Sequence, residues 1–282
     1  MQLQLQLQLP LLLVKETSTP SFRPPEPDHL STIPREPMQK LLTDLLHPDK
    51  NIRVEAALEI GKRADPIALP VLLDRLGAEP DFFVRENVTW AVVRMGDAAV
   101  LPVIALLANG DAAARFNAAH TLSKLADSRA VPALLSTLDD PDPALVQKAA
   151  YALGRIRDAR ALPALVSRVG DGPRELRASV SEAVEAFGDA AVPELLAALH
   201  DGAVEVRVDS AGILGAIGGV AAVDALVSAL TDEAWEVRFA VVNALRESGT
   251  PTSVAALERA VSDPHASVRM LAGRILTDLR DA

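Results

Sequence analysis

A block of about thirty-one residues recurs along this chain, and that recurrence limits the possible folds more than any single motif does. Aligned on Arg53, Arg85, Arg115, Val146, Arg177, Arg207, Arg238 and Arg269, successive copies lie 32, 30, 31, 31, 30, 31 and 31 residues apart. One residue before each anchor stands Ile52, Val84, Ala114, Leu145, Leu176, Val206, Val237 or Val268, and seven residues after it another aliphatic residue, Ile60 through Leu276. Apolar positions at −1, +3 and +7 share one face of a helix, because four residues at 3.6 per turn nearly complete a turn. Each block therefore contains a helix, B, with one buried face.

The segment before each B helix reads as a second helix, A. Pro70, Pro102, Pro132, Pro163 and Pro193 each introduce an apolar run with an Asp four or five residues upstream, the pattern of a capped helix start. Six residues before the anchor come His47, Glu79, Asn109, Asp140, Asp171, Asp201, Asp232 and Asp263, read as the turn between the helices, with the acceptor side chain capping B. The fold class is all-α: an α-solenoid of eight helical hairpins, beginning near residues 37, 70, 102, 132, 163, 193, 224 and 255, stacked into a curved superhelix. Composition agrees, with 49% hydrophobic but only 3% aromatic residues, so the core is built from Ala, Leu, Val and Ile.

The first 36 residues carry no such pattern. An opening of alternating Leu and Gln lacks the charged start, longer apolar stretch and small-residue cleavage site of an export signal, so cytoplasmic residence is expected. Six prolines between Thr17 and Pro37 predict a disordered, Pro-rich tail over 1–36 ahead of the solenoid at 37–282. Frequent charges leave no apolar run long enough to span a bilayer.

The turn and helix B in Asp263-Pro-His-Ala-Ser-Val-Arg269, with the Ala-Leu pattern that follows, resemble HEAT-like repeats, in particular the short bacterial type also found in phycobilisome lyase subunits. The resemblance covers 37–282; Val146 at the arginine position and His47, Glu79 and Asn109 at the aspartate position depart from it. It implies B helices lining a concave surface, and a ladder of Asp–Arg contacts that is incomplete in the first four units. Some proteins of this kind are di-iron hydroxylases with His-Glu pairs on facing helices. No His-Glu dipeptide occurs here, and His47, His200 and His265 are dispersed among turns, so neither metal nor cofactor is expected.

Catalytic constellations are scarce. The phosphate loop, the dinucleotide-binding turn, the metalloprotease helix and the serine nucleophile elbow are all absent, and with no cysteine there is neither a thiol nucleophile nor a disulfide framework. No catalytic residue is assigned. A net charge of −10 argues against a general nucleic-acid binder. Gly212, Gly215, Gly218 and Gly219 read as close helix packing followed by a helix end rather than a phosphate cradle.

Helix B carries the chain's one informative surface. Offset +5 holds Trp90, His120 and Tyr151 in the second to fourth units, and +9 holds Arg94, Lys124 and Arg155, one turn further on. Asn117 and Lys148 stand at +2. Rings beside cations are what interfaces favour as anchors. Charge is uneven as well: residues 1–160 carry net −2 and 161–282 net −8, so an elongated partner would set its acidic part over units two to four and its basic part over five to eight. The expected function is a non-enzymatic scaffold that binds a protein or peptide through the concave face. The alternative is a lyase or lyase-subunit-like protein acting on a bilin or other cofactor-bearing partner.

Overall fold

The computed structural model describes residues 36–281, and its helical unit begins at Pro37. The predicted tail over 1–36 and the reading of the first residues as lacking an export signal lie outside the described residues, save Glu36. Sixteen α-helices and no strand occur among the described residues. They fall into consecutive A/B pairs: α1 (Met38–Asp44) with α2 (Lys50–Arg63), α3 (Leu69–Ala78) with α4 (Phe82–Arg94), α5 (Asp97–Asn109) with α6 (Ala112–Leu125), and α7 (Val131–Thr137) with α8 (Pro143–Ile156). There follow α9 (Leu162–Val166) with α10 (Arg174–Glu185), α11 (Val192–Asp201) with α12 (Val204–Ile217), α13 (Gly219–Ser228) with α14 (Trp235–Leu245), and α15 (Pro251–Ala260) with α16 (Ala266–Asp281).

Pro70, Pro132, Pro163 and Pro193 sit in the first turn of their A helices, each behind a 3₁₀ turn. Pro102 differs, lying inside α5, because there the same preceding turn closes as α-helix from Asp97. The +7 aliphatics Ile60, Val92, Leu122, Leu153, Val184, Leu214, Leu245 and Leu276 are all buried, which confirms the register of the B helices.

The turn acids do not cap helix B. The caps stand two residues later, where Asp49, Asp81, Asp111 and Asp142 accept backbone N–H bonds from the first turns of α2, α4, α6 and α8. The earlier residue folds the turn: Glu79, Asp140, Asp232 and Asp263 each accept the N–H of the residue two positions on, as does the Nδ1 of His47. Their remaining acceptor capacity receives the arginine of the preceding repeat. Arg53 donates to both Glu79 oxygens at 2.9 Å, Arg115 to Asp140 at 2.6 Å, Arg207 to Asp232 at 2.9 Å, and Arg238 to Asp263 at 2.7 and 3.0 Å. Arg53 and Arg238 also donate to carbonyls of their own turns, so one guanidinium fixes two turns. Glutamate thus serves in the ladder at position 79. Val146 leaves a rung unfilled, and Arg177 turns instead to Asp209, with bonds of 2.7 and 2.6 Å.

How closely neighbouring B helices approach depends on two offsets. Gly61, Gly154 and Gly215 all stand at +8, and a Cβ there would lie 3.0, 2.7 and 2.9 Å from the Cα of Ala91, Ala183 and Ala244, which stand at +6 of the next repeat. Glycine against alanine lets the two backbones touch. The pairs α2/α4, α8/α10 and α12/α14 pack most closely, and α6/α8 joins them with Ser123 and Ala152 at the two offsets. Where +8 carries Val93, Glu185 or Arg246, the pairs α4/α6, α10/α12 and α14/α16 touch more lightly.

Candidate functional site: the exposed face of the B helices

At 100° per residue, offsets −2, +1 and +5 lie within about 60° of one another and point away from the buried face, whereas +2 swings toward the preceding repeat. The contacts follow this arithmetic. Asn117 at +2 donates from Nδ2 to the carbonyl of Leu76 in α3 at 2.8 Å, which ties α6 to the previous hairpin. Asn87 at the same offset is buried and bonds to Phe83 O at 2.7 Å. Lys148 reaches back too, its Nζ 5.3 Å from the Phe116 ring of α6 and 6.0 Å from the Tyr151 ring of its own helix.

The three +5 rings occupy different surroundings. Trp90 is half-buried over Gly61, in the close approach of α2 and α4. His120 places Nε2 3.1 Å from Oε1 of Glu86, and Lys124 places Nζ 3.5 Å from Oε2 of the same carboxylate, so both α6 side chains hold α4. The hydrogen bond from His120 lowers the pKa of Glu86; burial opposes it and the charge of Lys124 adds to it. Tyr151 is 46% exposed and presents its ring to solvent. Its cationic neighbour is Lys148 rather than Arg155. Arg94 and Arg155 are exposed and hold no ion pair among the described residues, leaving two guanidinium groups available for an outside acceptor.

The face therefore sets Lys148 beside Tyr151 and leaves Arg94 and Arg155 exposed, uses His120 and Lys124 as a clasp between repeats, and places Asn117 in a joint. From sequence, Phe116 at +1 is missed, and Glu86 at the same offset reads only as an acidic residue that would repel a phosphate backbone, not as the partner of His120 and Lys124. Reading +5 together with +1 would have found them, because the two offsets are one turn apart. The same offset in later repeats holds Phe239 and Met270, exposed on α14 and α16. Among the described residues no three His, Asp or Glu side chains converge as metal ligands, and no helix is long and apolar enough to cross a membrane.

Paired helices, arginine-stapled turns and close B–B packing define an α-helical repeat solenoid. The chain belongs to the HEAT repeats family, which matches residues 38–105, 100–185 and 192–277. No curated protein sequence matches it. Among solved structures it is similar to Kap95p, described in complex with RanGDP, at 15% identity and TM-score 0.54 over 84% of this chain and 39% of that one. It is also similar to the CpcE–CpcF complex of phycocyanin lyase from Nostoc sp. PCC7120, at 21% identity and TM-score 0.41 over 90% and 100% of the two chains. Human deoxyhypusine hydroxylase gives 20% identity and TM-score 0.36 over 79% and 99%.

Proposed function

We propose that the protein is a binding scaffold whose exposed B-helix face holds a protein or peptide, with Trp90, Arg94, His120, Lys124, Lys148, Tyr151 and Arg155 forming the contact surface and Asn117 bracing it. The observation that carries this reading is the state of Tyr151. It is the only tyrosine of the chain, stands half out in solvent with Lys148 on its flank, and lies one turn from the unpaired guanidinium of Arg155. A ring with a polar tip and two cations suits an interface anchor, since it offers apolar area, a hydrogen bond and charge at small entropic cost. The free cations favour an acidic segment of the partner over repeats two to four.

Affinity capture from the native cell, with identification by mass spectrometry, supplies the partner. The affinity of the purified pair is then measured for the native chain and for Tyr151→Ala/Arg155→Ala. The double variant weakens binding by about tenfold, the cost of losing an aromatic anchor and a charge-assisted contact, while its thermal midpoint stays put because neither side chain is buried. Unchanged affinity would remove this site.

A further inference from the structure

The second half of the B face is built differently. Trp235 and Phe239 of α14 pack edge to face at 6.3 Å, and His265 of the last repeat stacks on the Trp235 indole at 4.0 Å. Both rings are more than one-third exposed, and Met270 is 75% exposed. On the adjoining α12, Gly212 shares the exposed face, and a Cβ built there meets nothing within 4 Å. Half-exposed Val208 continues this low floor one turn earlier. Beside this apolar strip, offset −2 carries Glu175, Glu205 and Glu236 in three consecutive repeats, all exposed and, among the described residues, none in an ion pair. The matching offset in repeats two to four holds Phe83, Ala113 and Ala144, so the acidic row belongs to this half alone.

We propose that repeats five to eight form a second docking surface, for an extended peptide segment that carries one apolar and one basic residue in every three. The inference rests on the scaffold reading above and assigns the chemistry of the partner's other part. Trp235, Phe239, Met270 and the Gly212 floor take apolar side chains, and the glutamate row takes Lys or Arg. Charge fixes the occupant: residues 161–282 carry net −8, so an acidic segment is repelled where a basic one is attracted. Spacing fixes the register. Packed helices lie roughly 8–10 Å apart, and a chain in the polyproline II conformation advances about 3.1 Å per residue with three residues per turn, so every third side chain points the same way. One basic residue in every three therefore meets one glutamate per repeat.

The test uses the full chain and fluorescein-labelled synthetic peptides titrated by anisotropy. The probe is four copies of Lys-Leu-Ser; the comparison peptides replace every Lys by Glu, or every Leu by Ser. The Lys-Leu-Ser probe binds at least about tenfold tighter than either comparison, a difference of about 1.4 kcal/mol. Gly212→Gln, which fills the floor and is favoured over glycine in a helix, weakens binding about tenfold without lowering the thermal midpoint. Glu175→Gln/Glu205→Gln/Glu236→Gln weakens it further and flattens its dependence on salt. Equal binding of the Lys and Glu peptides, or unchanged affinity in Gly212→Gln, overturns the proposal. Tyr151→Ala/Arg155→Ala leaves this probe's affinity unaltered, so the two surfaces succeed or fail separately.

Discussion

Gly61 of α2 lies directly beneath the indole of Trp90 in α4: a Cβ on Gly61 would stand 2.3 Å from Cζ3 and 2.6 Å from Cε3 of that ring, and 3.0 Å from the Cα of Ala91. The first two repeats are joined through this contact. The ring can be half-buried in the joint and still belong to the B face because the helix below it lacks a side chain there.

Gly61→Ala therefore forces the indole outward or separates the helices. Overpacking of this kind costs about 1–3 kcal/mol, and the better helix propensity of alanine returns up to about 1 kcal/mol, so a net loss of about 1–2 kcal/mol is expected in chemical denaturation. Tryptophan emission shifts as Trp90 moves. Gly212→Ala is the matched control: its new Cβ meets nothing, so the same change there raises stability by about 0.5–1 kcal/mol.

The turns leaving the B helices supply a second prediction. Ala64, Ala126 and Arg157 end their helices in the left-handed region, with φ of 51°, 51° and 55°; the equivalent Gly96 and Gly188 share the positive φ, 56° and 57°, Gly96 with ψ of −128°. An L-residue there is strained by about 1–2 kcal/mol. Ala126→Gly relieves that strain at some cost in unfolded-state entropy, and a gain of about 1 kcal/mol in denaturant titrations is expected. Gly188→Ala loses a similar amount.

Repeat length, helix pairing and the buried B-face register were all legible in sequence, because a period of 31 residues sampled repeatedly outweighs local ambiguity. The turn chemistry was less so. Aspartates occur at both −6 and −4, and only geometry shows that Asp81 caps α4 while Glu79 folds the turn and receives Arg53. Exposed offsets were half legible. The ring series at +5 was visible, yet the role of Glu86 in joining His120 and Lys124 depends on which repeat each offset faces, and a hairpin read by itself has no neighbours. The acidic −2 row and the Trp235–His265 stack were missed for the same reason.

Glu79 predicts how acid affects the first joint. Burial pushes its carboxyl upward, but hydrogen bonds from Arg53, the Asp81 N–H and Arg75 outweigh that and hold the pKa below its ordinary value. A carboxylate depressed in the folded state contributes stability above its unfolded pKa, near about 4.3, and loses it as pH falls through the folded value. Glu79→Gln removes this part of the acid sensitivity. At neutral pH it leaves two guanidinium groups facing a neutral amide in a buried site, with an expected cost of about 3 kcal/mol. Denaturant titrations of both chains at pH 7 and pH 3 check the sign: the gap between them narrows on acidification.

Glu185 predicts the opposite trend at the lighter α10/α12 contact. Half-buried at an offset where other repeats use glycine, it has its pKa raised by burial and then by the charge of Glu182. A carboxyl whose folded pKa exceeds its unfolded one contributes stability that is full at low pH and is lost as pH rises through the folded value. Above that window the folded chain carries an unfavourable charge, and Glu185→Gln removes it. The variant is expected to be more stable than the native chain at pH 7, and to lose that advantage by pH 4, where the native carboxyl has taken up its proton. Thermal midpoints of the two chains between pH 4 and pH 7 test this, and an advantage that stays constant across the range would mean that Glu185 acts through packing rather than charge.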